Sequence, residues 1–286
     1  MAKAIGEYLA ELTSRFAAVG IESAPADAEL LVAHVLGLSR GEVQAQAIIG
    51  SAIDVEKLTQ VESLAERRAN REPLQHITGQ AFFRQLELRV GRGVFVPRPE
   101  TESVAQLAID AVRACGVDSP IAVDLGTGSG AIALSIAVEV PEARVFAVEK
   151  STDAFPFTRK NFEQYAHTGA TLRLGDLRDE FSELNSQVDV VVSNPPYIPD
   201  AAIPRDPEVR DFDPELALYG GADGMDVIHL VSATAKRLLK PGGYLVIEHA
   251  DNQGDQVSQL LLADGWREVQ KHRDLTDRDR AVSAIK

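Results

Sequence analysis

The stretch Asp189-Val-Val-Val-Ser-Asn-Pro-Pro-Tyr197 decides the fold and locates the chemistry. Its β-branched residues Val190 to Val192 predict a strand that is covered on both faces, as strands of parallel sheets are. Pro195 and Pro196 cannot continue that strand, because proline fixes φ and lacks a backbone donor. We therefore expect a stiff loop in which an Asn side chain, free carbonyl groups and an aromatic ring lie close together.

The four loop residues Asn194, Pro195, Pro196 and Tyr197 suit a planar group that bears an NH2. The Asn194 side-chain oxygen and the Pro195 carbonyl are two acceptors for the two hydrogens of that group. Tyr197 supplies a ring on which the group can stack. The sequence therefore predicts the catalytic site at these four residues.

From Ile121 onward the chain alternates between predicted strands and helices. Apolar runs predict strands at 121–125, 144–149, 171–175, 188–193 and 243–248, followed by a helix at about 252–263 and closing strands at 266–272 and 279–285. The alternation is typical of an α/β domain with a doubly wound, mostly parallel sheet, here of seven strands with an antiparallel closing hairpin. Ligands of such sheets lie beyond the carboxyl ends of the strands.

A glycine-rich turn, Asp124-Leu-Gly126-Thr127-Gly128-Ser129-Gly130, follows the first of these strands. Glycine allows the turn to be tight and allows a ligand to approach the backbone. The Gly-x-Gly-x-Gly spacing lacks the third glycine position of the dinucleotide fingerprint and the Lys-Ser/Thr of a P-loop. Taken alone, the turn is therefore also compatible with a plain connection between strand and helix.

Acidic residues at two later strand ends favour a ligand site over a plain connection. Glu149 closes the second strand, where such folds place a carboxylate on ribose hydroxyls. Asp176 closes the third strand and can accept from an exocyclic amine, while Leu177 covers a ring face. Three consecutive strand ends of this kind favour a nucleoside-containing cofactor across the strand tips over solvated loop residues.

Residues 1–72 show helical periodicity only and predict a separate helical bundle. They contain no glycine-rich loop and no cluster of acids, bases or metal ligands, and we predict no metal site. We interpret the bundle as a surface for a macromolecular partner rather than a scaffold, since a complete catalytic domain at 97–286 follows it. Residues 73–96 alternate apolar and polar side chains from His76, which predicts a β-hairpin between the two.

The segment Pro97-Arg-Pro-Glu100-Thr-Glu102 is expected to open a helix that runs on to Val112. Glu100 and Glu102 either complement the positive end of that helix or line a cofactor pocket, and their spacing leaves both interpretations open. His76 and His249 are conceivable bases, but neither belongs to the constellation of strand ends. We interpret both as structural.

Composition bounds the function further. A hydrophobic content of 45% fits a globular α/β protein, and the formal net charge of −14 argues against a general nucleic-acid binder. No apolar run is long enough to cross a bilayer, and no signal-type segment begins the sequence. A lone cysteine, Cys115, cannot form an internal disulfide. We expect a cytoplasmic protein.

The Asp124–Gly130 turn, Glu149 and Asp176 resemble the S-adenosyl-L-methionine site of class I methyltransferases. Asn194-Pro-Pro-Tyr resembles the signature shared by adenine-N6 and protein glutamine-N5 methyltransferases. Three further features resemble the release factor glutamine methyltransferases of the HemK/PrmC type: the segment Pro97–Glu102, the stretch Pro207–Gly224 that reads Pro-Glu-Val-Arg-Asp-Phe-Asp-Pro-Glu-Leu-Ala-Leu-Tyr-Gly-Gly-Ala-Asp-Gly, and the N-terminal helical region.

This resemblance implies methylation of the side-chain nitrogen N5 of the glutamine in the Gly-Gly-Gln motif of class 1 peptide chain release factors, with S-adenosyl-L-homocysteine as the second product. It implies that the four loop residues hold the glutamine. The cofactor contacts that it implies are Asp124, Gly126, Thr127, Gly128, Ser129, Gly130, Glu149, Asp176, Leu177 and Asn194, with Glu100 and Glu102 near the sulfonium. We expect a monomer that contacts neither membrane nor nucleic acid.

Three alternatives stay open on the sequence. A glutamine methyltransferase of a ribosomal protein would share the chemistry, although such relatives differ at the segment matching Pro97–Glu102. An adenine-N6 methyltransferase of DNA or RNA would share the Asn-Pro-Pro-Tyr signature but calls for a basic recognition surface. A binding module that retains the fold without turnover is the third alternative.

Overall fold

The computed structural model describes residues 3–286. Their helices and strands form a helical bundle and a sheet that is covered by helices. The helices are α1 (Ile5–Ala18), α2 (Ala24–Leu36), α3 (Arg40–Ile48), α4 (Val55–Ala69), α5 (Leu74–Thr78), α6 (Thr101–Ala114), α7 (Ala131–Glu139), α8 (Phe155–Gln164), α9 (Pro207–Phe212), α10 (Glu215–Leu218), α11 (Asp226–Leu238) and α12 (Gly254–Ala263). The strands are β1 (Lys3–Ala4), β2 (Ala52–Ile53), β3 (Gln80–Phe83), β4 (Leu86–Arg89), β5 (Ile121–Leu125), β6 (Arg144–Glu149), β7 (Thr171–Leu174), β8 (Val188–Ser193), β9 (Leu239–Glu248), β10 (Arg267–Arg273) and β11 (Asp279–Ile285).

The predicted sheet is confirmed, with its strands in the order β10-β11-β9-β8-β5-β6-β7. Strand β11 runs antiparallel to both of its neighbours, and the remaining pairs are parallel. The strand order reverses between β5 and β8, where the Ser193 hydroxyl donates to the Leu125 carbonyl at 2.6 Å. A crevice at such a reversal is where α/β sheets bind ligands.

By packing, the chain divides into two compact units. The first comprises the chain up to Gly79 together with Pro204–Phe212, and the second comprises Gln80–Ile203 and Asp213–Lys286. The hairpin of β3 and β4 belongs to the second unit because Phe83, Leu86 and Leu88 are buried in its core. These limits differ from the division that we predict at residues 72 and 96.

One part of the predicted hairpin is helical instead. Residues 74–78 form α5, whereas the alternation from His76 had predicted a strand. Pro73 precedes the helix, and Gly79 ends it in the left-handed region at φ 74°. A five-residue helix is too short for its periodicity to be told from the alternation of a strand, so the sequence pattern was misleading here.

The first unit has its own apolar core. Tyr8, Phe16 and Leu31 are buried between helices, so the bundle is held by apolar packing. Helix α3 begins with a capping box between Ser39 and Glu42, which satisfies amide groups that the helix leaves free. No helix among residues 3–286 has the length and apolar character that crossing a membrane requires.

A buried ion network holds Pro204–Phe212 in the first unit. Arg68 donates to Asp27 Oδ2 at 2.7 Å and to Glu208 Oε1 at 2.8 Å, and Arg71 donates to Glu208 Oε2 at 2.5 Å. Burial acts against ionisation of Glu208, but hydrogen bonds from Asp206, Arg71 and Arg68 hold its pKa at about 2. The segment Pro204–Phe212 is therefore held to the helical bundle by charge.

Replacement of Glu208 by alanine is expected to destabilise the protein by about 3 kcal/mol, because it leaves the Arg68 guanidinium buried with only one of its two carboxylates. Denaturant unfolding measures the change. Asp211→Ala is the matched control, since Asp211 pairs with Arg210 on the surface of the same helix and should change stability little. Equal unfolding free energies for the two variants would show that the network contributes no more than a surface pair.

Candidate active site

The Asp124 side chain lies beneath the glycine-rich turn. It is 1% exposed, and its Oδ2 accepts from the Thr127 hydroxyl at 2.6 Å and from the Ala133 amide at 3.2 Å. These bonds tie the end of β5 to the first turn of α7. The other oxygen, Oδ1, is buried without a hydrogen-bond partner in the described chain. A buried unpaired acceptor of this kind suits a donor that the protein itself does not supply.

The three glycines of the turn serve two different purposes. Gly126 and Gly128 have φ of 77° and 57°, and a Cβ built on either would meet no atom within 4 Å. The backbone there faces open space, which fits a ligand lying against it. Gly130 differs, because its Cβ would lie 2.9 Å from Cε2 of Phe162, so close packing by α8 requires glycine at this position.

The Glu149 carboxylate is fixed against the same turn. Its Oε2 accepts from the Gly128 amide at 2.8 Å and its Oε1 from the Ser151 amide at 2.6 Å. Burial raises its pKa, and the two backbone amides act in the opposite direction. Each carboxylate oxygen can accept more than one hydrogen bond, so capacity remains for a pair of hydroxyls.

Asp176 and Leu177 follow β7, at the far side of the same sheet edge. Asp176 accepts from Arg178 Nε at 2.9 Å and pairs with Lys150 Nζ at 3.1 Å. The hydrogen bond from Arg178 holds the pKa of Asp176 well below its usual range. Leu177 packs partly against the apolar core of the sheet. An amine that approached Asp176 would therefore meet a carboxylate already paired with two cations.

The Asn194–Tyr197 loop leaves β8 at the reversal of strand order. The Asn194 Nδ2 donates to the Thr101 hydroxyl at 3.3 Å, so the amide oxygen is the end left for another donor. Pro195 is buried, and its carbonyl accepts no backbone hydrogen bond from residues 3–286. The two acceptors that the sequence predicts are therefore both available.

The rest of the loop is held from one side by a glycine turn. The Tyr197 carbonyl accepts from Gln253 Nε2 at 3.0 Å. A Cβ on Gly220 would lie 2.5 Å from the Pro196 oxygen, and one on Gly224 would lie 2.1 Å from the Tyr197 oxygen. The Tyr197 side chain is partly buried, and burial raises the pKa of its phenol, which stays neutral at physiological pH.

The two glutamates before and in α6 lie in different surroundings. Glu102 Oε1 accepts from the Arg84 amide at 3.0 Å, in the turn between β3 and β4, a contact that favours a structural role. Glu100 precedes the helix without capping it, and its charge acts on Tyr197 and on Glu248. Of the pair, Glu100 is thus the one near the Asn194–Tyr197 loop.

Sequence reasoning missed the residues that support the loop from neighbouring elements. Thr101 and Gln253 bind Asn194 and the Tyr197 carbonyl, and Glu248 ends β9 beside the end of β8. A signal was present for Glu248, since it closes a predicted strand as Glu149 and Asp176 do. His249 is fully buried, and its Nδ1 lies 2.7 Å from the Ala250 carbonyl oxygen.

Two buried acids of the site predict an unusual dependence of stability on pH. Burial raises the pKa of both Asp124 and Glu248 to about 7, whereas unfolded carboxyls titrate near about 4. The native state then holds protons that the unfolded state has released, so the free energy of unfolding falls as pH rises from about 4 to about 7. Denaturant unfolding across this range should show a shallower decline for Asp124→Asn than for the exposed control Asp277→Asn. Parallel curves would contradict the prediction.

Comparisons with known proteins agree in both halves of the chain. Residues 7–79 match the PrmC N-terminal domain, and residues 90–206 match the methyltransferase small domain. A release factor glutamine methyltransferase of Streptomyces coelicolor is 51% identical over 97% of this chain and 96% of its own length. A 4-amino-L-phenylalanine/4-methylamino-L-phenylalanine methyltransferase of Streptomyces pristinaespiralis is 38% identical over 93% of this chain and 88% of its own.

A solved structure shares this fold at low sequence identity. A methyltransferase from Pyrococcus furiosus superposes with a TM-score of 0.50 and 18% identity, covering 70% of this chain and 89% of its own. At that identity the likeness speaks to the fold alone, and it agrees with the seven-stranded, mostly parallel sheet.

Proposed function

Because this chain belongs to the release factor glutamine methyltransferase family, we propose that it methylates the glutamine of the Gly-Gly-Gln motif in class 1 peptide chain release factors. The methyl group goes to the side-chain nitrogen N5. The observation that carries the proposal is the pair of free acceptors, Asn194 Oδ1 and the Pro195 carbonyl, on a rigid loop beside the open glycine turn. The protein would act as a cytoplasmic monomer.

S-adenosyl-L-methionine fits the strand ends and would supply an electrophilic methyl group on a sulfonium, leaving S-adenosyl-L-homocysteine. The open backbone at Gly126 and Gly128 would lie against it, and Glu149 would accept from its ribose hydroxyls. Asp176 and Leu177 would contact its adenine, and Glu100 would favour its positive end. The paired state of Asp176 means that an adenine amine would share this carboxylate with Arg178.

The loop residues address the weakness of the nucleophile. The lone pair of an amide nitrogen is delocalised into its carbonyl, so the nitrogen attacks poorly. Asn194 and Pro195 would accept its two hydrogens, fix its direction and stabilise the positive charge that builds on it during transfer. Tyr197 would stack on the amide plane, and Pro196 would shape the slot. The methylated cation then loses a proton without a strong base.

The remaining alternatives are less well supported. The net charge of −14 disfavours an adenine methyltransferase of nucleic acid. The Pro97–Glu102 segment keeps the release-factor form, which disfavours a ribosomal-protein substrate.

The first unit is proposed to dock the release factor. If it does, a full-length release factor should have a lower KM than a short Gly-Gly-Gln peptide, with a similar kcat. Equal KM values for the two would remove the docking role. Deletion of residues 1–70 is a poorer test, because it strips Glu208 of Arg68 and leaves this carboxylate without its buried partner.

The decisive experiment is mass spectrometry of a release factor incubated with the protein and S-adenosyl-L-methionine. We expect one methyl group on the motif glutamine, and none on a release factor in which that glutamine is alanine. DNA, RNA and free 4-amino-L-phenylalanine should be offered in parallel. Methylation of one of these without a mark on the release factor would overturn the proposal.

A further inference from the structure

Glu248 is a buried carboxyl next to the proposed catalytic loop. It ends β9, whose Ile247 pairs with Ser193 at the end of β8, and it is 1% exposed. The hydroxyls of Thr101 and Tyr197 lower the pKa of this carboxyl and so favour its ionised form, and its Oε2 is buried without a hydrogen-bond partner in the described chain. Burial of a carboxyl without full hydrogen bonding costs stability, which points to a role other than stability for Glu248.

Thr101 connects this carboxyl to Asn194. A threonine hydroxyl has one proton, and a carboxylate can only accept. When Glu248 is ionised, its negative charge draws the Thr101 proton toward Glu248, which leaves the Thr101 oxygen as an acceptor. That acceptor receives the Asn194 Nδ2 hydrogen at 3.3 Å. An amide whose NH2 is engaged in this way presents its oxygen on the opposite side.

We propose that Glu248 and Thr101 are positioning residues that fix the Asn194 amide with its oxygen toward the substrate. The inference rests on the proposed function, because it concerns the acceptor that would hold the glutamine NH2. We call Glu248, Thr101 and Asn194 the relay. Without its first two members, the Asn194 amide can rotate by half a turn and present its two donors to the substrate NH2, which can also only donate. Neither positioning residue touches the substrate in this arrangement.

The charges around Glu248 come from several elements. Burial raises its pKa to about 7, Arg280 on β11 lowers it, and Glu100 before α6 raises it. Below this pKa the protonated carboxyl can donate to Thr101, and the Thr101 proton is then free to point at the Asn194 oxygen. The Thr101 proton therefore points away from Asn194 only at a pH above the pKa of Glu248.

Removal of either relay member should reduce turnover. We expect Thr101→Val, which keeps the shape of the side chain, and Glu248→Leu each to lower kcat for the release factor about tenfold, the loss typical of one hydrogen bond to a charged group. Binding of S-adenosyl-L-methionine, measured by calorimetry, should be unchanged. Thr101→Ser keeps the hydroxyl and should restore kcat.

Two readouts separate positioning from a merely structural role. The Thr101→Val/Glu248→Leu double variant should be no slower than either single variant, because both members act through the same amide. In the wild type, kcat should rise with pH through about 7 as Glu248 ionises, and Thr101→Val should lack this rise.

Asp189→Asn is the matched control. Asp189 is also a buried carboxylate, but it lies at the other end of β8, where it accepts from the Ile121 amide and pairs with Lys240. Its replacement should lower stability and leave kcat unchanged. Folded Thr101→Val and Glu248→Leu proteins with wild-type kcat, or losses that add in the double variant, would overturn the relay. Failure of the proposed function looks different, because the wild type itself would then leave the release factor unmethylated.

Discussion

Asn194→Ala is expected to lower methyl transfer about 10³-fold, the loss typical of removing a preorganised group that stabilises charge in the transition state. The variant keeps the Pro195 carbonyl but loses the acceptor that fixes the second hydrogen of the glutamine NH2. The nitrogen then samples many directions, and fewer of them point at the methyl group. A labelled-methyl assay on a release factor measures the loss.

Cofactor binding should survive the same substitution. The Asp124–Gly130 turn, Glu149 and Asp176 lie at other strand ends and make no hydrogen bond to Asn194. Calorimetry with S-adenosyl-L-methionine checks this point. Asn185→Ala is the matched control, since Asn185 is exposed and its side-chain oxygen accepts from Arg237 at a distance from the site. An active Asn194→Ala enzyme would refute the acceptor mechanism.

The sheet and its strand ends could be read from local sequence signals. Runs such as Val190–Val192 are recognisable because a strand covered on both faces must be apolar throughout. Pro195 and Pro196 mark the end of that strand because proline cannot join the ladder. Glu149 and Asp176 were therefore placed at the correct edge of the sheet from position alone.

Other features depend on residues that meet only in the folded chain. Arg68 and Glu208 are 140 positions apart, and neither carries a local sign that Pro204–Phe212 packs with the helical bundle. The sequence leaves the role of Glu102 open, and its contact with the amide of Arg84, 18 positions earlier in the turn between β3 and β4, is visible only in the structure. Thr101 looked like an ordinary first residue of a helix, and its bond to Asn194 is visible only in three dimensions.

The second large effect is expected at the Gly220–Gly224 turn, which packs against the backbone of the Asn194–Tyr197 loop. Gly224 has φ 79°, and a Cβ there would lie 2.1 Å from the Tyr197 oxygen and 2.8 Å from Gln253 Nε2. The first contact is with backbone, so it can be relieved only by moving the loop or the turn. Gly224→Ala should therefore shift Tyr197 and the acceptors next to it. A displacement of about 1 Å at reacting groups costs roughly 10²-fold in rate, and we expect a loss of at least this size.

Backbone strain alone must be separated from this displacement. Gly242→Ala is the matched control, because Gly242 has φ 81° but no atom within 4 Å of the added Cβ. It carries the same strain of about 1 kcal/mol, which should lower thermal stability and leave methyl transfer intact. If Gly224→Ala lost stability to the same extent and kept its activity, the loop would tolerate displacement. The slot would then form when the release factor binds, whereas selective loss of activity means that the free protein already holds it in shape.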